Sequence, residues 1–187
     1  MFTAEHERVL RALQEYHCPR YEEFPSIPLY SDQVVELLSR YTAPFFPAGV
    51  EQALTPAMIN NYVRQRLLPP PVKKRYERDQ VVRLFCICLL KHMFSFPEIR
   101  FIMTARPQDI SFADTYNYFC VELEKALRAT FSTRDFSAPS SAPAVTLGSE
   151  LIRSAALCFA NRIFTAKLLE FAQQDPELAR LAAKGFQ

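Results

Sequence analysis

The chain has 187 residues, 49% hydrophobic and 22% charged, an ordinary balance for one globular domain with room for an appendage. No apolar run reaches the ~18–20 residues that cross a bilayer, and only three Gly argue against a turn-rich β fold and for helix. The formal net charge of +2 is unevenly spread: residues 55–83 carry seven basic residues against two acids, a local +5, which leaves −3 for the rest. A local excess of this kind attracts a polyanion.

The opening MFTAEHERVLRALQEY is charged and amphipathic, unlike a secretion signal. Cys18, Cys86, Cys88, Cys120 and Cys158 are an odd number at irregular spacing. That suits reduced, buried thiols rather than a disulfide frame, and a cytoplasmic location is expected.

In chain order, residues 3–17 predict an amphipathic helix with Thr3 as N-cap and Val9, Leu10, Leu13 and Tyr16 on one side. Residues 18–30 contain three prolines and are expected to be extended. Ser31 is expected to cap SDQVVELLSRY, whose Val34, Val35, Leu37, Leu38 and Tyr41 form a stripe, and 42–54 reads mostly as loop. Thr55 as N-cap, Pro56 in the first turn and a Leu54–Ile59 staple predict a helix over 55–67, ended by the prolines at 69–71. Residues 77–93 are apolar nearly all round and predict a buried central helix. Ser95 and Glu98 have capping-box spacing for a helix over 96–105. Further helices are expected over 110–131 and 149–173, separated by a polar Pro/Ser linker at 132–148, with Asp175 and Pro176 opening a last short one.

The middle of the chain is therefore helix, loop, helix, proline-rich basic turn, buried helix, capped short helix, the order of a winged helix-turn-helix. A helix of ~10–12 Å diameter fits the major groove, and a basic loop beside it clamps phosphate oxygens. On the helix 55–67, Ile59, Tyr62, Val63 and Leu67 form the inward stripe, leaving Asn60, Asn61, Arg64 and Gln65 toward solvent. Asn and Gln pair with adenine through two hydrogen bonds, and Arg with guanine or phosphate. Lys73, Lys74 and Arg75 are the expected phosphate contacts of a turn that the prolines stiffen.

The stretch TPAMINNYVRQRLLPPPVKKRYERDQVVRL resembles the DNA-binding domain of MerR-type regulators. Thr55 matches the cap of their recognition helix, Ile59 and Tyr62 its core, Leu67 and Pro69 its end. Arg75 and Tyr76 match the exit of the wing, and Asp79, Val81 and Leu84 the next helix. SFPEIRFIM at 95–103 is similar to a further stretch of that family. Over roughly residues 25–125, including LYSDQVVELL and LTPAMINNYV, the chain most resembles the bacterial domain-of-unknown-function family 1836. Asn60–Asn61 stand where the MerR-type helix has Arg-Tyr, and Arg66 stands where it has Gly.

The resemblance implies a mainly α protein. Its parts would be an N-terminal helix and extended arm (1–30), a MerR-like winged helix-turn-helix (31–106) and a C-terminal helical dimerisation or accessory region (107–187). It further implies binding of double-stranded DNA as a homodimer, with Thr55, Asn60, Asn61, Tyr62, Arg64 and Gln65 from the helix and Lys73, Lys74, Arg75 and Tyr76 from the wing in the interface. Tyr62 and Tyr76 are also natural packing residues. Two apolar faces on 149–173 favour a second copy, and Phe119, Phe159 and Phe164 are a candidate seat for a small effector.

Other classes compete. A protein-interaction module on a winged-helix frame fits the altered recognition residues. An enzyme fits less well, since only His6, His17 and His92 are available and there is no glycine-rich phosphate loop. Cys86, Cys88 and His92 evoke a metal site, but Cys86 and Cys88 point to different sides of a helix, so no metal or other cofactor is expected.

Overall fold

The computed structural model describes residues 2–46, 54–105, 109–137 and 139–175. Among them are seven α-helices and one two-stranded sheet. The helices are α1 (Ala4–Gln14), α2 (Ser31–Thr42), α3 (Pro56–Arg64), α4 (Arg78–Leu90), α5 (Phe96–Thr104), α6 (Phe112–Arg128) and α7 (Leu147–Gln174). The strands are β1 (Leu29–Tyr30) and β2 (Arg75–Tyr76), antiparallel, with Leu29 opposite Tyr76 and Tyr30 opposite Arg75.

The core forms around α4. Every residue from Val81 to Leu90 except Arg83 is buried, as a run apolar at all its other positions requires. Phe24 from the N-terminal arm and Tyr116 from α6 both pack edge-on against Phe85, at 6.0 and 6.4 Å between ring centroids. The core continues without a break from Leu10 to Phe171, so the three stretches expected from the sequence share one hydrophobic interior. Polar contacts cross the same boundaries. The Arg20 guanidinium grips the Glu124 carboxylate of α6 with two bonds of 2.8 and 2.7 Å, and Glu124 also accepts the Cys18 amide.

Several helix ends differ from expectation. Helix α1 is capped by Thr3 but stops at Gln14. Ser31 lies inside α2, and the preceding amide, that of Tyr30, donates to the Gln33 side chain. Helix α3 ends at Arg64, before the prolines. Its last carbonyls are closed by a Schellman turn, in which Arg66 N–H donates to Val63 O and Leu67 N–H to Tyr62 O. Ser111 and Thr146, not foreseen as caps, each accept the amide three residues on. Helix α6 runs out through a π-helical turn at Ala129–Thr133. The helix expected after Asp175 lies outside the described residues, as does most of the 42–54 loop.

The polar linker is clamped down rather than loose. Ser141 donates its amide and hydroxyl to the buried Glu122 carboxylate, and Lys125 donates to Pro139 O. Both apolar faces of α7 are covered within the chain. Phe159 packs 4.9 Å from Phe45, Phe164 5.3 Å from Phe131, and Phe171 stacks on His6 of α1 at 4.1 Å. The two faces therefore need no second copy to account for them. Phe119, Phe159 and Phe164 are all buried in the core, and of the three Phe119 also lines a small hollow of about 40 Å³ beside Phe112 and Ile152.

Candidate nucleic-acid interface

Helix α3 lies on the surface. Thr55 Oγ1 accepts the Met58 amide at 3.2 Å, which sets its first turn. Ile59 and Tyr62 face inward and are buried, with the Tyr62 ring edge-on to Phe96 of α5 at 5.6 Å. The opposite side carries Asn60, Arg64 and Gln65, all exposed, with Asn61 and Thr55 half-buried beside them.

The basic turn is a minimal hairpin. Val72 and Arg75 exchange both main-chain hydrogen bonds, Arg75 N–H donating to Val72 O at 2.9 Å and Val72 N–H to Arg75 O at 3.0 Å. Lys73 and Lys74 are its two connecting residues, with φ of 49° and 63°. Positive φ at both positions is what a two-residue type I′ turn requires, because only that twist matches the flanking strands. Asn-Gly fills it with least strain; here two exposed lysines do.

Beside them, the Arg75 guanidinium sits 4.8 Å over the Tyr30 ring and donates to the Tyr30 hydroxyl at 2.9 Å. This pins its direction. A hollow of about 390 Å³ opens between Pro28, Tyr30, Val72 and Lys73.

Two residues missed in the sequence hold the hairpin. Gln80, buried in the first turn of α4, donates from its amide nitrogen to Pro69 O and Pro70 O, both at 3.0 Å, and accepts the Glu77 amide at 2.8 Å. Tyr30 is the other. Gln80 reads as an ordinary polar residue near a helix start, and only its capping-box distance from Glu77 hints at a task.

Of the ten candidate interface residues, eight stay at or near the surface and two do not. Tyr62 and Tyr76 are each 3% exposed. Burial pushes the Tyr62 hydroxyl up to about 12 and raises that of Tyr76. They belong to packing, which corrects the expectation that they sit in the interface. Among the described residues, none of Arg64, Arg66, Lys73 and Lys74 has an ion-pair partner.

The thiols divide as well. Cys18, Cys86, Cys88 and Cys120 are buried, whereas Cys158 is exposed, against the expectation that all are interior. Burial pushes Cys88 up to about 12 and Cys86 higher still. No group of three or more His, Cys, Asp or Glu that could hold a metal ion occurs among the described residues. No helix among them is long and apolar enough to cross a membrane.

Fold and surface together define a mainly helical protein with a small antiparallel sheet and a cationic hairpin. The chain belongs to the family described as Domain of unknown function (DUF1836), whose model matches residues 19–119, from the N-terminal arm into α6. No curated protein and no solved structure matches it.

Proposed function

We propose that the chain is a DNA-binding transcriptional regulator of MerR-like type. In this reading α2, α3 and the hairpin form a winged helix-turn-helix. Asn60, Asn61, Arg64 and Gln65 address base edges from the major groove, and Lys73, Lys74 and Arg75 hold phosphates. The observation that supports it best is the hairpin tip. Left-handed backbone costs a residue with a Cβ about 1–2 kcal/mol, and such strain collects at functional positions. Two consecutive lysines at that conformation place two exposed charges, without an ion pair among the described residues, at the tip of the hairpin. A turn selected for stability alone would carry Asn-Gly.

The hollow between the end of α5 and the starts of α6 and α7, about 310 Å³ with mostly apolar walls such as Ile110, Tyr118 and Ile152, is the better seat for a small effector in this reading. A homodimer would use surface other than the two faces of α7.

The test is duplex binding as a function of salt. The wild-type chain is expected to bind with affinity that falls steeply as salt rises, and Lys73→Asn/Lys74→Gly to reduce the slope of log K against log salt by about 2, since each phosphate contact contributes about 0.9. Equal slopes would remove the wing from the interface. No duplex binding by either protein would leave the frame as a protein-interaction module.

A further inference from the structure

A groove of about 440 Å³ runs beside α3, between its Schellman turn, Pro69–Pro70, α4 and α5. Arg66, Arg83 and Arg100 line it, one from each of three segments, and no carboxylate does. Among the described residues none of the three is in an ion pair.

Two of these arginines are held in place. The Arg83 guanidinium lies 4.2 Å over the Phe112 ring, and Arg100 donates to the main-chain oxygen of Gln65. Stacking occupies the face of a guanidinium and leaves N–H edges to donate. Arg66 is set by its backbone, with φ of 55° at the Schellman position where glycine is the default. A cation near a helix C-terminus is favoured by the helix dipole, but Arg64 already supplies one with no strain. The left-handed arginine therefore needs another reason.

Like charges that converge without an acid repel one another, and that repulsion is relieved when an anion enters. Guanidinium forks match the spacing of phosphate oxygens and bind them through paired, charge-assisted bonds. We propose that this groove is a phosphate-binding site. The phosphate has two chemical sources. One is a phosphodiester of the duplex lying along α3, which rests on the reading above; the other is a free phosphorylated small molecule, which does not.

The probe is inorganic pyrophosphate at constant ionic strength, followed by the arginine Nε–H resonances and the melting midpoint of the full chain. Arg66→Gly suits the left-handed backbone and leaves the fold intact. Arg128→Gln, exposed on α6 and outside the groove, is the control. Saturable binding is expected for the wild type and Arg128→Gln, weakened about tenfold or more in Arg66→Gly by the loss of one charge-assisted contact.

A second arm measures the duplex salt slope. A slope lower by about 1 in Arg66→Gly assigns the site to the duplex backbone. An unchanged slope with pyrophosphate binding lost assigns it to a free phosphate. If Arg66→Gly matches the wild type in both arms, the proposal is overturned. If no variant binds duplex, the pyrophosphate arm alone decides the groove, separately from the regulator reading.

Discussion

The side-chain amide of Gln80 donates to the main-chain carbonyl of Pro70 at 3.0 Å, and so ties the first turn of α4 to the chain entering the hairpin. The same nitrogen reaches Pro69 O, while the Gln80 oxygen accepts the Glu77 amide. One buried side chain thus closes a helix N-terminus and orients the hairpin. Gln80→Ala is expected to destabilise the chain by about 1–2 kcal/mol, since three part-buried polar groups lose a partner. Gln80→Glu is expected to be worse than alanine, because a carboxylate would face two carbonyl oxygens. Urea unfolding of the three proteins checks the order.

Strain at the hairpin tip makes a prediction of opposite sign. Lys73→Asn/Lys74→Gly is expected to raise stability by about 1–2 kcal/mol, because both replacements adopt positive φ more readily. Stabilisation accompanied by weaker duplex binding is the signature of a turn held strained for its charge. Thermal melts and binding isotherms on the same preparations decide it, and a destabilised variant would show that the lysines support the fold instead.

Gly148 marks the contact between the start of α7 and the end of α5. It lies in the first turn of α7, and a Cβ built there would stand 2.4 Å from the carbonyl oxygen of Ala105 at the end of α5. The obstacle is backbone, so relief requires α5 and α7 to part. Gly148→Ala is expected to destabilise by about 1–3 kcal/mol, the usual cost of overpacking. Faster hydrogen exchange in the last turn of α5 would locate the effect.

Two exposed carboxylates at segment starts set an acid dependence. Glu23 is held below the usual carboxylate range by the Arg20 amide, which it accepts at 2.6 Å, and then by His17. Glu98 is held below it by the Ser95 hydroxyl and amide. A carboxylate whose pKa is depressed on folding contributes stability above its unfolded value and loses it as pH falls through the folded one. Glu23→Gln/Glu98→Gln is therefore expected to be less stable than the wild type at neutral pH, and to lose less stability on acidification from pH ~5 to ~2. Melting midpoints across that range test the sign.

Much of the secondary structure is legible in single residues. Thr55 and Pro56 announce α3, Ser95 and Glu98 announce α5, and the apolar run of α4 declares its burial, because caps and periodicity act within a few residues of themselves. The end of α3, at Arg64 and not at Leu67, is hidden for the same reason. Prolines are loud signals, whereas a Schellman turn with arginine at the glycine position has no local mark.

The amino-acid sequence by itself determined the helical class, the order of parts and the concentration of positive charge around residues 64–75, since propensity, capping and charge are properties of short stretches. Only the tertiary structure decided where that charge points. It hung the hairpin on Gln80 and Tyr30, and gathered Arg66, Arg83 and Arg100 around one groove. It also packed residues from both faces of α7 against the rest of the chain. Each of these depends on contacts between residues far apart along the chain, made when helices pack against a common core, and no short window of sequence carries that distance.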